Sequence, residues 1–224
     1  MQNIAVRNQE PQLLWNHFAD INAIPRASKK EERIIEFMVA FGKKLSLETL
    51  VDPVGNVIIR KPATAGMDNR KTVVLQSHLD MVHQKNSDTD FDFDSEGIKM
   101  FVDGDWVRAD GTTLGADNGL GVAAIMSVLS SDDIIHPALE ALFTIDEETG
   151  MTGAQGLQAG YLEGEILLNL DTEEDDEIDI GCAGGIDITA IKTYEETDAQ
   201  KDALSFRFVV KGLQGGHSGM DIHK

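Results

Sequence analysis

Cysteine is nearly absent: Cys182 stands alone in 224 residues. That excludes an intrachain disulfide and a cysteine-built zinc knuckle. It also suits a reducing cytoplasm, where a small packed thiol is ordinary. Aromatic residues make up only 6%, and 19 basic residues face 39 acidic ones, for a formal net charge of −20. Such a surface repels nucleic acid and anionic membranes, so neither is expected as a partner. No apolar run approaches the ~20 residues of a membrane helix. The opening stretch, MQNIAVRNQEPQLLWNHF, has no basic region followed by an apolar core, so no signal peptide is expected. The 42% hydrophobic content is ample for a folded chain.

Apolar spacing predicts a helix through Leu13, Leu14, Phe18 and Ile21, closed by Pro25. A second helix carries Ile34, Ile35, Met38, Val39 and Phe41, with Ser28 and Glu31 spaced as a capping box. LETLVD and NVIIRKP read as a hairpin around Pro53–Gly55. TVVLQ, ALEALFTID and GEILLNLD read as strands, separated by VDGDWVRADG, by the helix NGLGVAAIMSVLSS and by the short helical GAQGLQAG. Strands alternating with helices predict an α/β domain whose mixed central sheet is largely parallel. After GCAGG the pattern changes: DITAIKTYEE and ALSFRFVVKGL alternate like strands of another unit, which puts a boundary near residue 185. Two strands are too few to stand alone. The sequence is therefore read as part of a longer protein.

Three predicted strands end in metal-type residues: His78 and Asp80, then Asp146, Glu147 and Glu148, then Asp171. Asp117 opens the intervening helix. In an open α/β sheet, ligands bind beyond the carboxyl ends of strands, so four segments can deliver His, Asp and Glu to one place. Each element also has a plainer reading. His78 and Asp80, two apart on a strand, share a face; they are a metal ligand with its orienting carboxylate, or a pair that caps a strand. Glu147 and Glu148 repel each other unless a proton or cation intervenes, or they lie in a solvated acidic turn. Asp117 is a ligand among turn-forming glycines or a helix N-cap. Asp171 follows ILLNL directly and is set apart from the acidic run behind it. An oxygen and nitrogen donor set suits zinc, manganese or cobalt. His217, between glycines in LQGGHSGMD, is a substrate contact or an exposed turn residue.

The segments SHLDMV, ADGTTLGADNG, FTIDEETGMTGA, NLDTEE, GCAGG and GGHSGMDIH occur here in the order and spacing of the bacterial aminoacyl-histidine dipeptidases. That family, also called Xaa-His dipeptidase or peptidase D, lies within the aminoacylase/carboxypeptidase superfamily of co-catalytic zinc peptidases. The sequence resembles its N-terminal half. The resemblance implies a zinc-peptidase catalytic domain over 1–185 and the start of an α+β lid or dimerisation domain over 186–224. It implies two zinc ions, with manganese or cobalt as substitutes. His78 and Asp171 would bind one zinc and Glu148 the other, with Asp117 bridging them beside a cis peptide to Asn118. Asp80 would orient His78, Glu147 would be the general base, and His217 would contact the substrate. The implied reaction is hydrolysis of dipeptides with C-terminal histidine, such as carnosine, by a cytoplasmic enzyme that forms a homodimer through the lid. A related tripeptidase or N-acyl amino-acid deacylase shares these motifs. Family members are about twice as long and supply a further zinc-binding histidine, whereas His223 matches a lid position. A metal-binding fragment without turnover is therefore the other alternative.

Overall fold

The structure, a computed structural model, describes residues 3–172, 176–181, 188–212 and 223. Cys182 and His217 lie outside these described residues. The chain divides into two compact units, Met1–Glu177 and Ile178–Lys224.

In the first unit, α1 (Ile4–Arg7), α2 (Gln12–Ile21) and α3 (Glu32–Lys44) precede the hairpin β1 (Glu48–Val51) and β2 (Val57–Lys61). Asp52 builds the turn between them. Its Oδ1 accepts the N–H groups of Val54, Gly55 and Asn56, and Gly55 takes φ 111°, which suits a residue without Cβ. Next come β3 (Val73–His78), the two-stranded excursion β4 (Met100–Asp103) and β5 (Trp106–Ala109), and α4 (Ala116–Ser130). The unit ends with β6 (Leu139–Thr144), α5 (Thr152–Gly156) and β7 (Ile166–Asn169).

The described strands form a mixed sheet in the order β1-β2-β6-β3-β7. β1–β2 and β2–β6 pair antiparallel; β3 pairs parallel to both β6 and β7. The side-chain period of two divides the apolar residues between the faces. Val57, Ile59, Ala141 and Phe143 join the helical side, with Phe18, Ile34, Met38 and Ile125. Ile58, Val74 and Leu142 face the other way, under Leu157, Tyr161 and Leu162. β6 is buried along its whole length, as its apolar run predicts. Its one charge, Glu140, is paired to Arg60 across the register at 3.1 Å and accepts the Glu163 and Gly164 N–H groups at 2.8 Å. Because β3, β6 and β7 run parallel, their carboxyl ends meet at one edge of the sheet.

The capping box predicted at Ser28–Glu31 does not form. α3 begins at Glu32, and Ser28 and Glu31 turn their side chains toward the carboxyl edge instead. The alternating stretches of the second unit also differ from expectation. Among the described residues 188–212 there is no strand, and Ile188, Phe206 and Phe208 are exposed. Alternation makes a strand only where a neighbouring strand pairs with it, and none does among the described residues.

Candidate metal centre

His78 ends β3 and is wholly buried. Its Nε2 lies 2.9 Å from Asp117 Oδ1, 3.6 Å from Asp171 Oδ2 and 3.9 Å from Glu147 Oε2. Its Nδ1 lies 3.2 Å from both the carbonyl and the carboxylate of Asp80. One ring nitrogen is thus held from behind while the other faces a group of carboxylates.

Each carboxylate arrives on a different element. Asp117 lies in the kinked first turn of α4, where its φ/ψ of −79°/113° leave the helical region and the Asp117–Asn118 peptide is cis. Asn118 Nδ2 donates to Asp171 Oδ1 at 2.8 Å and to the Leu170 carbonyl at 3.0 Å, which ties α4 to the end of β7. Glu147 and Glu148 sit on the turn after β6. Asp146 starts that turn with φ 52°, and its carboxylate accepts the hydroxyls of Thr149 and Thr152.

Asp80 is the hub behind the centre. Its Oδ1 accepts the Glu147 N–H at 3.0 Å, and its Oδ2 accepts the Glu148 N–H at 3.2 Å and the Ser28 hydroxyl at 2.8 Å. One buried carboxylate therefore holds the imidazole and the backbone of both glutamates. Glu31 supports the same turn by accepting the Asp146 N–H at 3.0 Å.

Burial opposes charge on His78. The hydrogen bonds to Asp117 and Asp80, with the charge of Asp171, outweigh that burial and lift its pKa to about 10. Burial likewise works against the Asp80 anion, but its bonds from His78, the Glu147 N–H and Ser28 carry its pKa down to about 2. Glu147, Glu148 and Asp171 shift the other way, first through burial and then through neighbouring carboxylates. The cluster thus seeks positive charge, which a proton on His78 or a divalent cation can supply.

Two donor sets have their ligand atoms within 4.8 Å of one another and share His78: His78 with Glu147 and Glu148, and His78 with Asp117 and Asp171. One imidazole and several carboxylates fit zinc, manganese or cobalt. Six of the seven predicted site residues, His78, Asp80, Asp117, Glu147, Glu148 and Asp171, thus come together; His217 lies outside the described residues. A cavity of about 350 Å³ opens at the amino ends of β3 and β6, between Arg60, Thr72 and Glu140, and contains none of these six.

No family model matches the chain. It is 51% identical over 213 residues to the cytosol non-specific dipeptidase of Escherichia coli, across 95% of this chain and 44% of that protein. The solved aminoacylhistidine dipeptidase of Vibrio alginolyticus is also 51% identical, with a TM-score of 0.76 over 77% of this chain and 35% of that one. This chain is a relative of those bacterial dipeptidases. It spans less than half the length of either. A tripeptidase from Staphylococcus aureus, at 24% identity and a TM-score of 0.62, shares the fold across 73% of this chain and 44% of its own.

Sequence reasoning missed Ser28 and Glu31, whose spacing imitates a helix cap. It also missed Asn118, hidden beside the more conspicuous Asp117. Arg26 gave no signal at all.

Proposed function

We propose that this chain carries the catalytic centre of a metal-dependent dipeptidase that cleaves dipeptides with C-terminal histidine, such as carnosine. One observation supports this most: carboxylates from three separate segments converge on the Nε2 side of a buried histidine whose Nδ1 is fixed by Asp80. The names of these relatives, a non-specific dipeptidase and an aminoacylhistidine dipeptidase, support dipeptide hydrolysis. They differ on specificity, one being called non-specific, so histidine selectivity rests on motif resemblance.

His78, Asp117, Glu148 and Asp171 would hold two zinc ions, which supply Lewis acidity to acidify the attacking water and polarise the scissile carbonyl. Glu147 takes the proton of that water and returns it to the leaving amine. Its raised proton affinity, from burial and the surrounding carboxylates, suits both transfers. Asp80 fixes the His78 tautomer and, through two N–H groups, the placement of Glu147 and Glu148. His217 contacts the substrate carbonyl region. A catalytic portion over 1–185, homodimerisation through the 186–224 segment and a cytoplasmic setting belong to the same proposal. No described helix is long and apolar enough to cross a membrane.

The test is a panel of β-alanyl-histidine, Gly-His, Gly-Leu, a tripeptide and an N-acetyl amino acid, each with and without a chelator. Chelator-sensitive cleavage of the histidine dipeptides in preference to the rest is expected. Cleavage that survives the chelator refutes the metal mechanism, and preferred cleavage of the tripeptide or acyl substrate reassigns the reaction. Zinc binding without turnover identifies a metal-binding piece.

A further inference from the structure

Arg26 is 2% exposed, although nothing in IPRASKK marks it as a core residue. All four of its terminal N–H groups are used. Nη1 donates to the carbonyls of Leu79 and Asp80, both at 3.0 Å. Nη2 donates to the Gly115 carbonyl at 2.5 Å and to Asn22 Oδ1 at 3.1 Å. Two of these carbonyls follow His78 at the end of β3, and a third lies two residues before Asp117. The guanidinium therefore bridges the two backbone segments whose side chains meet at His78 Nε2.

The glycines of GADNG fit around this group. A Cβ on Gly115 would come within 2.5 Å of Arg26 Nη2, and one on Gly119 within 2.7 Å. Gly115 also takes φ 69°, a conformation that disfavours side chains. Those glycines make room for a buried cation beneath the ligand turn. The negative charges of Asp80, Asp117 and Glu148 favour its cationic form against the burial that opposes it.

We propose that Arg26 is a positioning residue: by clamping the end of β3 to the turn before α4, it sets the separation of His78 and Asp117. The consequence for metal affinity rests on the metal reading above; the clamp itself does not. Lysine cannot replace it, because an ammonium is a point donor and cannot span four acceptors as a planar fork does.

The experiment compares the unaltered chain with Arg26→Gln, Arg26→Lys and Gly119→Ala, which crowds the guanidinium while leaving it in place. Two quantities are read: zinc affinity by competition with a chromophoric chelator, and, before metal is added, the exchange-protected His78 Nε2–H in a nitrogen-15 spectrum. Folding is checked by circular dichroism. Zinc affinity about 10- to 100-fold weaker is expected in all three variants, the loss typical when a group behind a ligand is removed. The protected ring proton should vanish in Arg26→Gln and weaken in the other two. If the unaltered chain shows the ring proton yet binds no zinc, the metal reading fails while the ring proton still tests the clamp. If Arg26→Gln keeps both signals, the proposal is overturned. If Arg26→Gln unfolds, Gly119→Ala and Arg26→Lys decide by the same readouts. Unfolding of all three would make Arg26 a folding residue and overturn the positioning role.

Discussion

His78 is surrounded by negative charge, and that governs how it exchanges a proton for a cation. With its pKa lifted to about 10, the imidazole is protonated at neutral pH when no metal is bound. Each zinc bound there must displace that proton. Zinc affinity is therefore expected to rise about tenfold per pH unit from neutrality toward pH 10, since one proton is linked to each binding event. Titration calorimetry in buffers of different ionisation enthalpy should count one proton released; a flat affinity would contradict it. Asp80 works in the opposite direction. Its folded pKa of about 2 lies below the ordinary 3.8, so its contribution to stability is full above pH 3.8 and is lost as pH falls through about 2. That contribution is on the order of 2 kcal/mol, counted once for the His78–Asp80 pair. Asp80→Asn should flatten the acid limb of the stability curve, read by urea melts across pH. At Glu147, replacement by glutamine should leave zinc bound and cut turnover by about 10²- to 10⁴-fold, the usual worth of a general base. Metal analysis beside steady-state rates separates the two effects; undiminished turnover would remove Glu147 from the proton path.

The elements show why some of this was legible in the sequence and some was not. β3, β6 and β7 announced themselves as apolar runs, and His78, Glu147, Glu148 and Asp171 stood at or just past their ends, where convergence of the segments, rather than any one motif, favoured a metal site over the plainer readings. Ser28 and Glu31 could not be read this way. A hydroxyl and a carboxylate three residues apart suit a helix cap and a distant carboxylate turn equally well, and only tertiary contact decides. Asp146 reads as another acidic residue until its φ of 52° shows it bending the turn that presents the two glutamates. In the second unit the alternation was real, but pairing is not encoded in one stretch alone. α4 is explained by closeness to its neighbours rather than by a hydrophobic stripe. A Cβ on Gly121 would stand 2.2 Å from Asn118 Oδ1, 2.5 Å from Ser77 Oγ and 3.0 Å from the Leu170 carbonyl. Gly121→Ala should therefore cost roughly 1–3 kcal/mol by overpacking, despite alanine's better helix propensity. A thermal melt that shows stabilisation would mean that Ser77 and Asn118 can move aside.

Across the whole molecule, a net charge of −20 favours cations and disfavours polyanions. Zinc held at 1,000 times its dissociation constant should stabilise the folded chain by about 4 kcal/mol. For a domain of this size that is a rise of roughly 10 °C in Tm, measurable by calorimetry; an unchanged Tm would argue against a preformed centre. The parallel pairing of β3 with β6 and β7 carries a kinetic meaning as well. Its contacts join residues 73–78 to 139–144 and 166–169. Parallel pairing over such separations requires long loops to close before any contact rewards the closure, so it forms slowly. The donors at the strand ends can converge only after that step. Metal therefore arrives too late to guide the search: it should slow unfolding and leave the folding rate nearly unchanged.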